Sequence, residues 1–154
     1  MKFFVMDDVQ CVISRRNNRI LAMQFLYTHE ISREHSFELL WSDLLSVLET
    51  LDEKYDFAKS LATGVLKNLR EIDERLRKML IHWKFNRLAK VDLAILRLAI
   101  YEMIYCESIP HVVTINEAIE LGKQYSSDDS KRIINGILDR LRKDQCQIIN
   151  SNNS

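Results

Sequence analysis

The sequence predicts an all-α fold, and three observations carry that prediction. Only 3 Gly and 1 Pro occur among 154 residues, so the breakers that punctuate hairpins and α/β loops are scarce. Apolar residues make up 47% of the chain, and over most of its length they recur at helical spacing. The stretches between those periodic segments are short and polar. A chain of this size suits one domain or two tightly packed subdomains.

Taken in order, Ser14 caps a helix to about His29, with Ile20, Met23, Leu26 and Tyr27 in its apolar stripe. A second helix covers about Phe37 to Leu51, where Phe37, Leu40, Trp41, Leu44, Leu45, Leu48 and Leu51 share one face. A third is expected as one long rod from Asp52 or Glu53 to Leu80, its apolar residues stepping by three and four from Ala58 to Met79. The acids of its first turn suit the positive end of a helix. From Val91 to Cys106 almost no polar face remains, which predicts the buried centre. Pro110 breaks the chain, and Thr114-Ile115-Asn116-Glu117 matches a capping box opening a helix to about Tyr125. The loop Ser126-Ser127-Asp128-Asp129 leads to a last helix, Ser130 to Lys143, and residues 146–154 read as a disordered polar tail. Residues 1–13 form an N-terminal extension to a helical domain spanning 14–145.

Charge excludes some roles. With 22 basic and 22 acidic residues the formal net charge is zero, so the chain does not coat nucleic acid by bulk positive charge. The charges are unevenly spread, however. Residues 67–97 hold 9 bases and 4 acids, flanked by segments with 7 acids each against 2 and 3 bases. Residues 14–33 hold four arginines against Glu30 alone. Solvated helix faces are the plain explanation of such runs. The opening Met1–Met6 is too short for a signal h-region, and no segment reaches the length of a membrane span. A soluble cytoplasmic protein is expected, with no membrane partner.

No catalytic constellation emerges. Cys11, Cys106 and Cys146 are odd in number and far apart, giving neither a disulfide framework nor a zinc pattern. His29, His35, His82 and His111 lie in different segments, without the i, i+4 spacing of a helical metal site. There is no glycine-rich phosphate loop and no nucleophile elbow. Asp128-Asp129 precedes a helix, where capping explains it as well as chemistry does. The expectation is no catalytic residue, no metal and no cofactor.

The first helix stands out instead. Arg15, Arg16 and Arg19 project from neighbouring positions of one turn-spanning face, and Asn17 and Asn18 add hydrogen-bonding groups. Guanidinium forks grip phosphate oxygens and stack on splayed bases. Arg16 and Arg19 are read as exposed. The alternative is a helix start whose arginines pair with acids of the second helix. Arg97, charged within an apolar run, is either held in a structural ion pair or emerges at a binding surface.

Arg15-Arg16-x-x-Arg19 followed by Ala22-Met23-Gln24-Phe25-Leu26-Tyr27 resembles the opening signature of the NusB family of transcription antitermination factors. The runs Val91–Glu102, Ile109–Leu121 and Asn135-Gly136-Ile137-Leu138-Asp139 resemble its later motifs, in family order and spacing, over about residues 14–142. The resemblance implies two packed small helical bundles of three and four helices, about 14–85 and 86–145. It implies binding of boxA-like single-stranded RNA together with NusE, a small-subunit ribosomal protein. Other Nus factors and RNA polymerase would join that complex, which promotes ribosomal RNA transcription, and a homodimer is a further expectation. Matching residues are Arg15, Arg16, Arg19, Tyr27 and Asp129 for RNA, and Asp92, Arg97 and Ile133 for the RNA or partner surface.

The chain departs from the family pattern at three places. Ile133 stands where the family often has Phe, Asn17-Asn18 replaces a small-residue and basic mixture, and residues 1–13 are longer than typical. The preferred RNA sequence is expected to shift accordingly. Two other readings are an RNA-recognition domain of a ribosomal RNA methyltransferase and a purely protein-binding helical scaffold.

Overall fold

The computed structural model describes residues 14–32, 36–49 and 52–152, and the expected extension 1–13 lies outside them. Among the described residues there are seven α-helices and no strand. They are α1 (Arg15–Ser32), α2 (Phe37–Val47), α3 (Asp56–Lys67), α4 (Leu69–Met79), α5 (Lys90–Tyr105), α6 (His111–Tyr125) and α7 (Ser130–Asn152). Short 3-10 turns at Asp52–Tyr55 and Phe85–Arg87 precede α3 and α5. No described helix is long and apolar enough to cross a membrane.

The starts of α1 and α2 follow their capping residues. Ser14 Oγ accepts from the Asn17 amide at 3.1 Å, and Ser36 Oγ accepts from the Leu39 amide at 3.3 Å. The second helix stops short of Leu51. Glu49 has φ 49°, a left-handed conformation that ends the helical run.

The expected rod is two helices. Asn68 interrupts it: its side-chain Nδ2 donates to the Gly64 carbonyl at 2.8 Å, while its amide is shared between Gly64 and Val65 at 3.2 Å each. Side-chain competition for a backbone carbonyl loosens the ladder there. The apolar stripe nevertheless survives the break, since Ala58, Leu61, Val65, Ile72, Leu76 and Met79 are all buried.

Two other boundaries differ from expectation. The sixth helix opens at His111, with Pro110 at its N-cap, so Thr114 is already inside it. The Thr114 amide bonds the Pro110 carbonyl at 3.3 Å, which is helical bonding and not a cap. Proline's fixed φ favours that earlier start. The last helix continues to Asn152, through the stretch expected to be a tail. Neither Gly nor Pro follows Gly136 to stop it, and elongating an established helix is far easier than starting one.

Helix α5 is the axis of the molecule. Residues 92–100 are buried without exception, and α5 packs against α1, α3, α4, α6 and α7. The buried side chains form one contiguous cluster. At Gly64 of α3 the Tyr101 ring approaches so closely that a Cβ would lie 2.1 Å from it. Glycine is therefore what allows α3 and α5 this close approach.

Candidate nucleic-acid interface

The α1 arginines have three different fates. Arg15 is exposed and its guanidinium carbon sits 4.0 Å from the Phe57 ring centroid, a cation–π contact with α3. Arg16 remains 54% exposed but is tied to Glu117 of α6 through Nε–Oε2 at 3.0 Å and Nη2–Oε1 at 2.7 Å. That hydrogen bond holds the Glu117 carboxyl below its ordinary pKa. Arg19, expected at the surface, is 5% exposed. Its Nε and Nη2 donate to Glu102 of α5 at 2.7–3.0 Å, and the two side chains are buried together. The correction has a simple cause. Residues three apart share a helix face, and the distant partners separate them: Arg19 meets a buried carboxylate of α5, Arg16 a more open one of α6.

Asn18 is likewise structural. It is buried, and its Oδ1 accepts the Ala58 amide at 2.9 Å in the first turn of α3, while Nδ2 donates to the Ser14 carbonyl at 3.2 Å. One side chain thus satisfies an orphan donor of α3 and braces the start of α1. The arginines pair with acids of α5 and α6, not with those of α2. Phe57 escaped the sequence reading, as did Glu102 and Glu117 as partners of the arginines, Glu117 having been read as part of a capping box. Of these only Glu102 carried a local signal, being a charge within the apolar run of α5.

In the middle of α5 a second charged group is buried. Arg97 is 6% exposed; Nε and Nη2 donate to Asp73 at 2.8 and 2.9 Å, and Nη1 donates to Glu30 at 2.8 Å. Lys90 Nζ also reaches Glu30 at 2.8 Å. Arg97 is therefore a structural ion pair and does not emerge at the surface. Burial alone would raise the Glu30 pKa, but hydrogen bonds from Arg97 and Lys90 outweigh it and hold the value at about 2. Burial lowers the pKa of neighbouring His29.

Asp92 is also interior, at 3% exposure. Its Oδ2 accepts from Ser130 Oγ at 2.9 Å, joining the first turn of α5 to that of α7. Its Oδ1 has no hydrogen-bond partner among the described residues. Asp129 is exposed and pairs with Arg132 at 3.1 Å. Tyr27 and Ile133 are half-buried and pack against the core. The sequence-derived residues therefore split into an exposed group, Arg15, Arg16 and Asp129, and buried supports, Arg19, Asp92 and Arg97. No cluster of three or more potential metal ligands occurs among the described residues.

The model of the NusB family matches residues 16–143, most of the chain. The chain belongs to the NusB family. The transcription antitermination protein NusB of Bacillus cereus is 43% identical over 133 residues, covering 84% of this chain and 98% of that protein. Its counterpart in Desulfosudis oleivorans is 37% identical, covering 85% and 86%. Among solved structures, T. maritima NusB superposes with a TM-score of 0.76 at 36% identity, over 84% of this chain and 91% of the other. A NusB in a crystal structure of antitermination factors NusB and NusE with double-stranded RNA has a TM-score of 0.75 at 25% identity, covering 84% and 96%.

Within this NusB fold the opening signature serves two ends at once. Its apolar half, Ala22 to Leu26, is buried core, together with Gln24. Its arginine half divides between solvent and the α5 carboxylate. The later motifs supply the receiving groups: Glu102 from the α5 run, Glu117 from the α6 run.

Proposed function

We propose that this chain is a transcription antitermination factor that binds boxA-like RNA jointly with NusE. It acts in the cytoplasm beside RNA polymerase and other Nus factors, and promotes ribosomal RNA transcription. The observation that carries this reading is the match to NusB antitermination proteins along nearly their whole length. The fold shared with a NusB solved together with NusE and RNA supports it. Relatives matched over 86–98% of their own length favour it over the methyltransferase reading. A binding adaptor needs no catalytic group, and this role is not enzymatic.

Arg15 and Arg16 are the proposed RNA contacts on α1, with Tyr27 and Asp129 on the same interface. Arg16 would exchange the Glu117 carboxylate for an RNA phosphate, one anion for another in the same bidentate fork. Arg19, Asp92, Arg97 and Ile133 act from beneath by fixing the helices that present the surface. The test is a titration of boxA-like RNA with and without NusE. Arg16→Ala should weaken binding and lower the salt slope by roughly 0.7 for each phosphate no longer neutralised. NusE should tighten RNA binding, and RNA should tighten NusE binding by the same factor. Equal RNA affinity with and without NusE would sink the joint mechanism.

A further inference from the structure

The second basic segment is not absorbed by the arginine arm. Residues 75–91 hold six Lys and Arg and no carboxylate. They cover the end of α4, the connection to α5 and its first turn. The cations do not all point to buried acids as Arg97 does. Arg75 and Lys90 have partners in Glu71 and Glu30, but Lys78, Lys84 and Arg87 are exposed, with no ion pair among the described residues. Arg77 lies 4.3 Å from the Phe85 ring centroid, not against a carboxylate.

Among these cations stands an indole. Trp83 is 50% exposed, although the backbone on both sides is anchored. Met79 and Leu88 are buried, Phe85 packs against the core, and Arg140 of α7 donates to the Met79 carbonyl. The loop is thus held by its ends while its largest aromatic remains half in water. An exposed indole in a chain segment of exposed, unpaired cations suits a polyanion that also carries flat rings. Acidic peptides offer the charge without the rings. Duplexes offer the charge with their bases already stacked.

We propose that the α4–α5 connection is a second, sequence-tolerant site for single-stranded RNA. Trp83 is its stacking platform, and Lys78, Lys84 and Arg87 are its phosphate contacts. The proposal rests on the reading of the chain as an RNA-binding factor, and gives the RNA flanking the boxA element a place to lie.

The test uses the full chain and a short oligouridine, which has no boxA sequence. Trp41 is buried, so quenching of exposed indole emission reports on Trp83, and loss of the quench in Trp83→Phe assigns it. Oligouridine should quench the wild type. By anisotropy of a labelled oligouridine, Trp83→Ala should weaken binding about tenfold, and Lys84→Glu with Arg87→Glu should weaken it further and abolish the quench. Both variants should melt like wild type, since these side chains are exposed. Arg15→Ala with Arg16→Ala should leave the quench intact. Absence of a quench in the wild type, or unchanged affinity in both variants, overturns the site. Equal quenching by polyglutamate or by duplex RNA also overturns it, in favour of an acidic protein or a nonspecific charge effect. If boxA-like RNA binds no better than oligouridine while the quench persists, the antitermination reading fails and this site stands.

Discussion

Arg16 and Arg19 are three residues apart on one helix, and each makes a bidentate bond to a glutamate, yet one pair is open to water and the other sealed from it. At Arg16–Glu117 the guanidinium is 54% exposed, whereas at Arg19–Glu102 neither side chain exceeds 6%. Exposure decides what a salt bridge does. In water the attraction is screened and either ion readily finds other partners. In the interior the pair must stay together, because a lone buried charge is far costlier than the pair. One arginine is therefore exchangeable and the other is committed to holding α1 on α5.

The largest effect that would break this contrast is in Arg19. Arg19→Ala strands Glu102 in the core and should cost about 3–5 kcal/mol in a denaturant melt. Replacing both partners, Arg19→Met with Glu102→Leu, should recover most of that loss, since an apolar pair of similar volume needs no partner. If the single substitution costs no more than a surface change, the sealed description is wrong.

Next comes the pH limb from the half-buried carboxylate beside Arg97. Glu30 has a folded pKa of about 2 against an ordinary 4.5. A depressed carboxylate contributes stability that is complete above the unfolded value and lost as pH falls toward the folded one. Stability should therefore decline between about pH 4.5 and 2, by a term on the order of 3 kcal/mol from this group. Glu30→Gln should cost most at neutral pH and little near pH 2. A wild-type-like pH profile in that variant would remove Glu30 from the account.

The exposed side of the contrast predicts the smallest stability effects. Arg16→Ala should change folding stability by about 0–1 kcal/mol while weakening RNA binding. Glu117→Gln should sharpen the point in the opposite direction, freeing Arg16 and tightening RNA in a filter-binding or anisotropy measurement. Unchanged RNA affinity in both would mean that the exchange does not occur.

How much of this was readable in the sequence depends on where the deciding partner lies. The centres of the helices were legible because apolar spacing is local, and so were the cap at Ser14 and the start at Phe37. The interruption at Asn68 was not, because the stripe from Ala58 to Met79 runs through it without a phase change. The start at His111 was hidden behind a capping pattern whose threonine is in fact inside the helix. Arg97 was flagged by its apolar surroundings, and the same logic applied to Glu102 would have called for a buried cation. Nothing local distinguishes Arg16 from Arg19. Their fates depend on residues 101 and 83 positions away.

Those separations also set an order in time. The arginines of α1 are synthesised long before the carboxylates that hold them. At about 5–20 residues per second, a ribosome needs roughly 4–20 s to travel from the arm to Glu102 and Glu117. Throughout that interval the nascent helix has its guanidinium groups available to any anion nearby, including the RNA crowded around the translating machinery. Asn18 can register α1 against α3 earlier, since Ala58 is only 40 residues on. Arg16 and Arg19 of α1 are thus made before every other described helix and are fastened only once α5 and α6 exist.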